Sequence, residues 1–267
     1  ALSADTQGSR AIAIGHGALL YQNFTSATDN YNVAIGHNAG LNVTTSTHNV
    51  LIGGQTGDAI TTGISNTLVG AETGGAITTG YENTFVGRNA GAAITTSYNN
   101  TFIGRNAGSA VTSGVNNTII GKYNGNQNGL DIRTASNYIV LSDGSANPRL
   151  IIDGSGKTKA QTYVETSEAL SGTTPTVNCN NGNVFTLTTS GNTTFTFSNP
   201  PASGTAYGFT LKLTAGGTHT ITYPNTVDFA GGTAPDAPAS GETDILVFIT
   251  VDGGTNWYGA LAIDAAG

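Results

Sequence analysis

The sequence holds one cysteine, Cys179, and no methionine. A single thiol closes no intrachain disulfide and builds no cysteine-based metal cluster. Charge is scarce too. Asp, Glu, Lys and Arg make up 9% of the chain, far below the usual share, so hydrogen-bonded structure rather than ion pairing must carry the fold. Low charge with many β-branched residues is the reverse of the disordered signature. The net charge is −7 and no basic stripe is present, which argues against nucleic acid as a partner. No apolar run approaches the roughly 20 residues of a bilayer-spanning helix, so membrane insertion is not expected. None of the four histidines falls in a metal-binding pair or nucleophile motif, and neither metal nor cofactor is expected. Lacking an initiator methionine and a signal peptide, the chain is expected to be a fragment or processed product of a longer polypeptide. Its 267 residues leave room for two domains.

What is abundant is glycine, 38 residues, and it is periodic. Gly36, Gly53, Gly70, Gly87, Gly104 and Gly121 follow one another at a step of 17. Gly40, Gly57, Gly74, Gly91, Gly108 and Gly125 keep the same step, as do Asn32, Asn49, Asn66, Asn83, Asn100 and Asn117. Fixed short periods signal stacked supersecondary units. In the unit Asn83 to Asn99, the runs Thr84-Phe85-Val86 and Ala93-Ile94-Thr95-Thr96 read as two strands. The Gly and Asn between them tolerate positive φ. The glycines and the missing 3.6-residue stripe speak against a helix. Each unit is therefore expected to be one rung of a β-solenoid or β-roll, stacked at about 4.8 Å.

Alternation along the strand assigns the faces. The uniform aliphatic column Ile35, Ile52, Val69, Val86, Ile103, Ile120 is expected inside. The column before it, Ala34, Leu51, Leu68, Phe85, Phe102, Ile119, varies in size and is expected to face outward. Its large members, Leu51, Leu68, Phe85, Phe102 and Ile119, are then the seam of an obligate oligomer, with a homotrimer as first choice. The competing reading is a monomeric solenoid whose thick core holds both columns. A third column, Val43, Ile60, Ile77, Ile94, Val111, is expected to fill the core.

The array is bounded as residues 1–130, with an irregular first rung whose step from Gly15 to Gly36 is 21 residues. A turn column, His16, His37, Gly54, Ala71, Arg88, Arg105, Lys122, becomes basic towards its C-terminal end. It reads as a solvated ladder, with anionic-glycan binding as the sharper alternative. Residues 131–165 read as a β connector whose Asp143-Gly144 and Asp153-Gly154 suit turns rather than Ca²⁺ loops. Residues 166–267 show longer alternating strands, with hairpin signals at 185–197 and 207–223, and are expected to form an antiparallel β-sandwich.

The repeats NTFVGRNAG and NTFIGRNAG with their ITT runs resemble repeats of phage tail fibres, particularly from marine and environmental phages. YIVLSDGSANPRLIIDGSGK resembles the segment that often follows them. The GGTAP and DGGTNWYG motifs are similar to a terminal domain on many tail fibres. The resemblance covers nearly the whole chain. It implies a homotrimeric virion component at the end of a tail, joined to other tail proteins through a preceding N-terminal part. It also implies attachment to a bacterial surface polysaccharide or outer-membrane protein. The chaperone domain that ends many such fibres has no candidate here, and is expected to be absent or removed. The repeats are also similar to those of trimeric autotransporter adhesins, whose period is shorter; a bacterial surface adhesin is the alternative reading.

An enzyme is not expected. The acids of the regular rungs, Asp58, Glu72 and Glu82, form no carboxylate ladder of the kind a polysaccharide-cleaving tailspike needs. Receptor contact calls for exposed aromatic and polar groups on a stable scaffold. Tyr223, Asp228, Trp257 and Tyr258 are the candidates, with core packing or an inter-chain interface as the competing reading, favoured for Trp257.

Overall fold

The structure is a computed structural model that describes residues 1–160 and 164–266. It divides into two compact units, Ala1–Thr162 and Tyr163–Gly267. The only helical turn among the described residues is a single 3₁₀ turn, Ala230–Gly232.

The first unit is a β-solenoid. Each regular rung contributes one three-residue strand: Val33–Ile35, Val50–Ile52, Thr67–Val69, Thr84–Val86, Thr101–Ile103 and Thr118–Ile120. Consecutive strands pair in parallel, Phe85 beside Leu68 on one side and Phe102 on the other. Parallel neighbours need a crossover of about a dozen residues, and the remainder of each rung supplies it. The second run of each rung, expected as a strand, is a chain of turns. It still joins rung to rung: the Thr61 amide donates to the Thr78 carbonyl at 3.0 Å, and the Thr78 amide to the Thr95 carbonyl at 2.9 Å.

The irregular first rung holds. Ile12–Ile14 pairs with Val33–Ile35, placing Ile14 beside Ile35. The stretch expected as a connector adds to the same sheet. Ile139–Ser142 pairs in parallel with Thr118–Ile120, and Pro148–Ile152 and Thr158–Ala160 follow as antiparallel strands.

The faces are the reverse of the sequence expectation. Ala34, Leu51, Leu68, Phe85, Phe102 and Ile119 are all fully buried, stacked with Val43, Ile60, Ile77, Ile94 and Val111 in one core. Leu51, Leu68, Phe85, Phe102 and Ile119 are therefore interior residues of a single chain, not a trimer seam. The uniform column points outward: Val86, Ile103 and Ile120 are 36%, 40% and 44% exposed.

Two devices make this packing possible. The first is room. A Cβ on Gly91 would come within 2.2 Å of the Phe85 ring, so the glycine column vacates the space that the large side chains fill. The second is a buried asparagine ladder. The Asn66 side-chain carbonyl accepts from the Asn83 amide at 3.2 Å, and that of Asn83 from the Asn100 amide at 3.1 Å. The side-chain amides donate across the rung, Asn83 to the Ser97 carbonyl at 2.9 Å and Asn100 to the Gly114 carbonyl at 3.0 Å. A buried amide costs free energy unless its partners are present, and here each rung supplies them to its neighbour.

The second unit is built on a six-stranded sheet of mixed pairing. Ser167–Ala169, Val184–Thr188 and Tyr207–Thr214 run in parallel. Thr243–Thr250 and Trp257–Ala266 then pair antiparallel, and Val227–Phe229 closes the far edge in parallel with the latter. The hairpins expected at 185–197 and 207–223 do not form. Val184–Thr188 lies against Tyr207–Thr214 in parallel, and residues 193–194 and 196–198 between them pair in parallel with 221–222 and 176–178. Alternation fixes which side chains share a face but not which strand is the neighbour, so the hairpin reading had no local contradiction.

Candidate functional site

Strand alternation in the second unit sorts the four expected receptor contacts into two classes. Trp257 is 2% exposed. Its ring meets Phe197 edge-on at 5.2 Å and Phe209 at 5.5 Å, and Phe197 in turn meets Phe248 at 5.4 Å. These rings form the core of the unit, where aromatic pairs favour such edge contacts. Tyr223 belongs to the same core, stacked on Phe195 at 5.7 Å and edge-on to Phe229 at 5.1 Å. Burial first, and the nearby Asp244 carboxylate second, push its phenol well above the ordinary range. The Trp257 ring is enclosed by the core, and the half-buried Tyr223 ring is engaged in packing against it.

Asp228 and Tyr258 are exposed, and the sheet places them side by side. They are register partners on the parallel strands Val227–Phe229 and Trp257–Ala266, and Ile249 is the partner of Tyr258 on the other flank. Directly opposed residues share a face, with Cβ atoms about 5 Å apart. A carboxylate, a phenol ring and an aliphatic side chain therefore form one row across three strands, with Gly208 next in line beside Ile249. Tyr258 is 55% exposed, and Val247, Ile249 and Ile263 extend the apolar surface around it. Such a row offers a ring face for stacking and a carboxylate for accepting hydroxyl hydrogen bonds.

The turn that aims this row is rigid. The Asp252 carboxylate accepts from the Asn256 amide at 3.0 Å, from the Asn256 side-chain amide at 2.8 Å and from the Thr250 hydroxyl at 2.9 Å. Those bonds hold its carboxyl below the ordinary range. Gly253 and Gly254 complete the turn at φ +75° and +77°. The DGGTNWYG motif thus encodes a turn that sends Trp257 into the core and Tyr258 out of it. Ile249 and Val247 were not singled out by sequence reasoning. Their signal was the nearly continuous apolar run 245–251, which reads as a strand buried on both faces.

Among the described residues no group of three His, Cys, Asp or Glu is placed to hold a metal ion. Cys179 is buried, and burial pushes its thiol pKa upward. Asp143 and Asp153 act as turn acceptors, taking the Ser145 and Ser155 amides, each at 2.9 Å. Comparison with family models, with curated proteins and with solved structures gives no match.

Proposed function

We propose that this chain is a structural and adhesive component of a phage tail fibre, homotrimeric, which attaches to the bacterial host surface through a polysaccharide or outer-membrane receptor. The observation that carries the reading is the division of labour along the chain. A solenoid whose every rung repeats one core and one hydrogen-bond ladder makes a stiff spacer. The second unit carries an exposed Asp228–Tyr258–Ile249 row on a sheet, a rigid support for a binding surface. Saccharide rings stack on such phenol faces, and their hydroxyls donate to such carboxylates. Several identical weak sites on one fibre then gain avidity on a repetitive surface. The tail-fibre resemblance of the repeats and of the GGTAP and DGGTNWYG motifs supports the same reading.

The test is binding of the full chain to a panel of purified bacterial surface polysaccharides, followed by biolayer interferometry. At least one should bind, and Tyr258→Ala should weaken that binding about tenfold, the equivalent of roughly 1.4 kcal/mol per site. Equal binding by the variant, or no binding across the panel and to whole cells, would sink the adhesive reading.

A further inference from the structure

The outward face of the solenoid sheet is an aliphatic ladder. From Ile12–Ile14 to Ile139–Ser142, residues at the first and third strand positions point away from the core. The third positions form an unbroken row, Ile14, Ile35, Ile52, Val69, Val86, Ile103 and onward through Ile120 to Leu141, each the register partner of the next. The first positions add Ile12, Val33, Val50 and Ile139, then threonines between them. No outward position on these strands is charged. Ile14 is 58% exposed, Ile120 44% and Leu141 36%.

With strands about 4.8 Å apart and alternate residues about 6.6 Å apart, the eight-strand ladder has a footprint on the order of 250 Å² on one chain. That approaches the largest contiguous apolar patch a typical monomer exposes, a size at which such patches are often functional. It falls short of the roughly 800 Å² a standard interface takes from each partner, which fits the apolar centre of an interface with a polar rim. The threonines at the first strand positions, Thr67, Thr84, Thr101 and Thr118, supply a polar edge beside the row.

We propose that the ladder is the surface through which copies of this chain associate. The argument for a copy rather than another protein is the period. A row of β-branched side chains repeating at the strand spacing meshes with a row of the same spacing, as facing sheets do in dry zippers. A surface without that period leaves gaps at most rungs, and the lost contacts are not recovered. The proposal rests on the self-association contained in the fibre reading and moves the seam from the buried Leu51–Ile119 column to the opposite face of the same strands.

The experiment is the mass in solution, by light scattering, of the full chain and of Val86→Glu/Ile103→Glu. The parent should run near three times 26.9 kDa. The variant should run at the monomer mass while keeping the β-sheet circular dichroism of the parent. A folded variant with the parent's mass overturns the ladder and leaves self-association standing. A monomeric parent overturns both, and leaves the Tyr258 binding test untouched. Should the charged variant fail to fold, Val86→Cys in a Cys179→Ser background replaces it. Oxidation should then yield a disulfide-linked dimer on non-reducing electrophoresis, with Thr95→Cys as the unlinked control. Absence of the linked species overturns the proposal.

Discussion

Phe85 lies flat against Phe102, ring centroids 4.9 Å apart and planes within 7° of parallel, inside a core where both are fully buried. The stack exists because Gly91 and Gly108 leave each ring its space. Truncating Phe85 to alanine should destabilise the chain by about 3–5 kcal/mol in a denaturant titration. Gly91→Ala should cost a comparable amount, since its Cβ meets the ring at 2.2 Å and its φ is +61°. Adding Phe85→Leu to Gly91→Ala should recover part of the loss. A neutral Gly91→Ala would show that the ring has another place to go.

The asparagine ladder gives a second expectation. Asn83→Ala removes the acceptor of the Asn100 amide and the donor to the Ser97 carbonyl, both in the interior. Stranded buried polar groups cost about 1–3 kcal/mol each, so the midpoint of chemical denaturation should fall clearly. An unchanged midpoint would mean that water reaches the ladder.

Trp257 and Tyr258 are adjacent in sequence and opposite in fate. Trp257→Ala should cost about 3–5 kcal/mol of stability, and Tyr258→Ala no more than about 0.5 kcal/mol. Thermal melts of the two variants decide it. Comparable losses would place Tyr258 in packing rather than on a binding surface.

Asp143 should leave a signature in acid. Bonds from the Asn147 side chain first, then from the Asn147 amide, with Arg149 also donating, hold its carboxyl well below the usual carboxylate range. Its folded pKa therefore lies below its unfolded value of about 3.9. The stabilisation is fully present above that value and is lost as pH falls towards the folded one. Between pH 7 and about 4 the difference in Tm between the parent and Asp143→Ala should stay constant, and it should shrink below. A difference that stays flat to pH 2 would detach the turn from this carboxylate.

The repeat, the all-β class, the atypical first rung and the Asp143 turn were legible in the sequence, because a fixed period and turn chemistry are local signals. The parity of the strand was not. Both alternating columns are apolar, so hydrophobicity could not choose between them. The deciding neighbour was visible. Thr84 shares a face with Val86, and Asn83 continues the face of Phe85. Taking the uniform aliphatic column as the interior gave the wrong side, when a self-satisfied asparagine ladder lies inside with Phe85. Like beside like, Leu51 by Leu68 and Phe85 by Phe102, is also how a buried stack is composed. In the second unit Asp228 and Tyr258 were legible as candidates, but their pairing and the neighbouring Ile249 were not, since strand order is set by packing far along the chain.

Each asparagine in the ladder bonds within its own rung and to the rungs before and after it. A whole rung can therefore be inserted or deleted, and the broken ends rejoin with the same bonds. Partial insertions have no such option, because they put asparagine, glycine and phenylalanine out of column together. The length of the solenoid is thus heritable in whole steps of about 4.8 Å. Recombination between near-identical repeats changes the number of rungs without altering the bonds that any one rung makes.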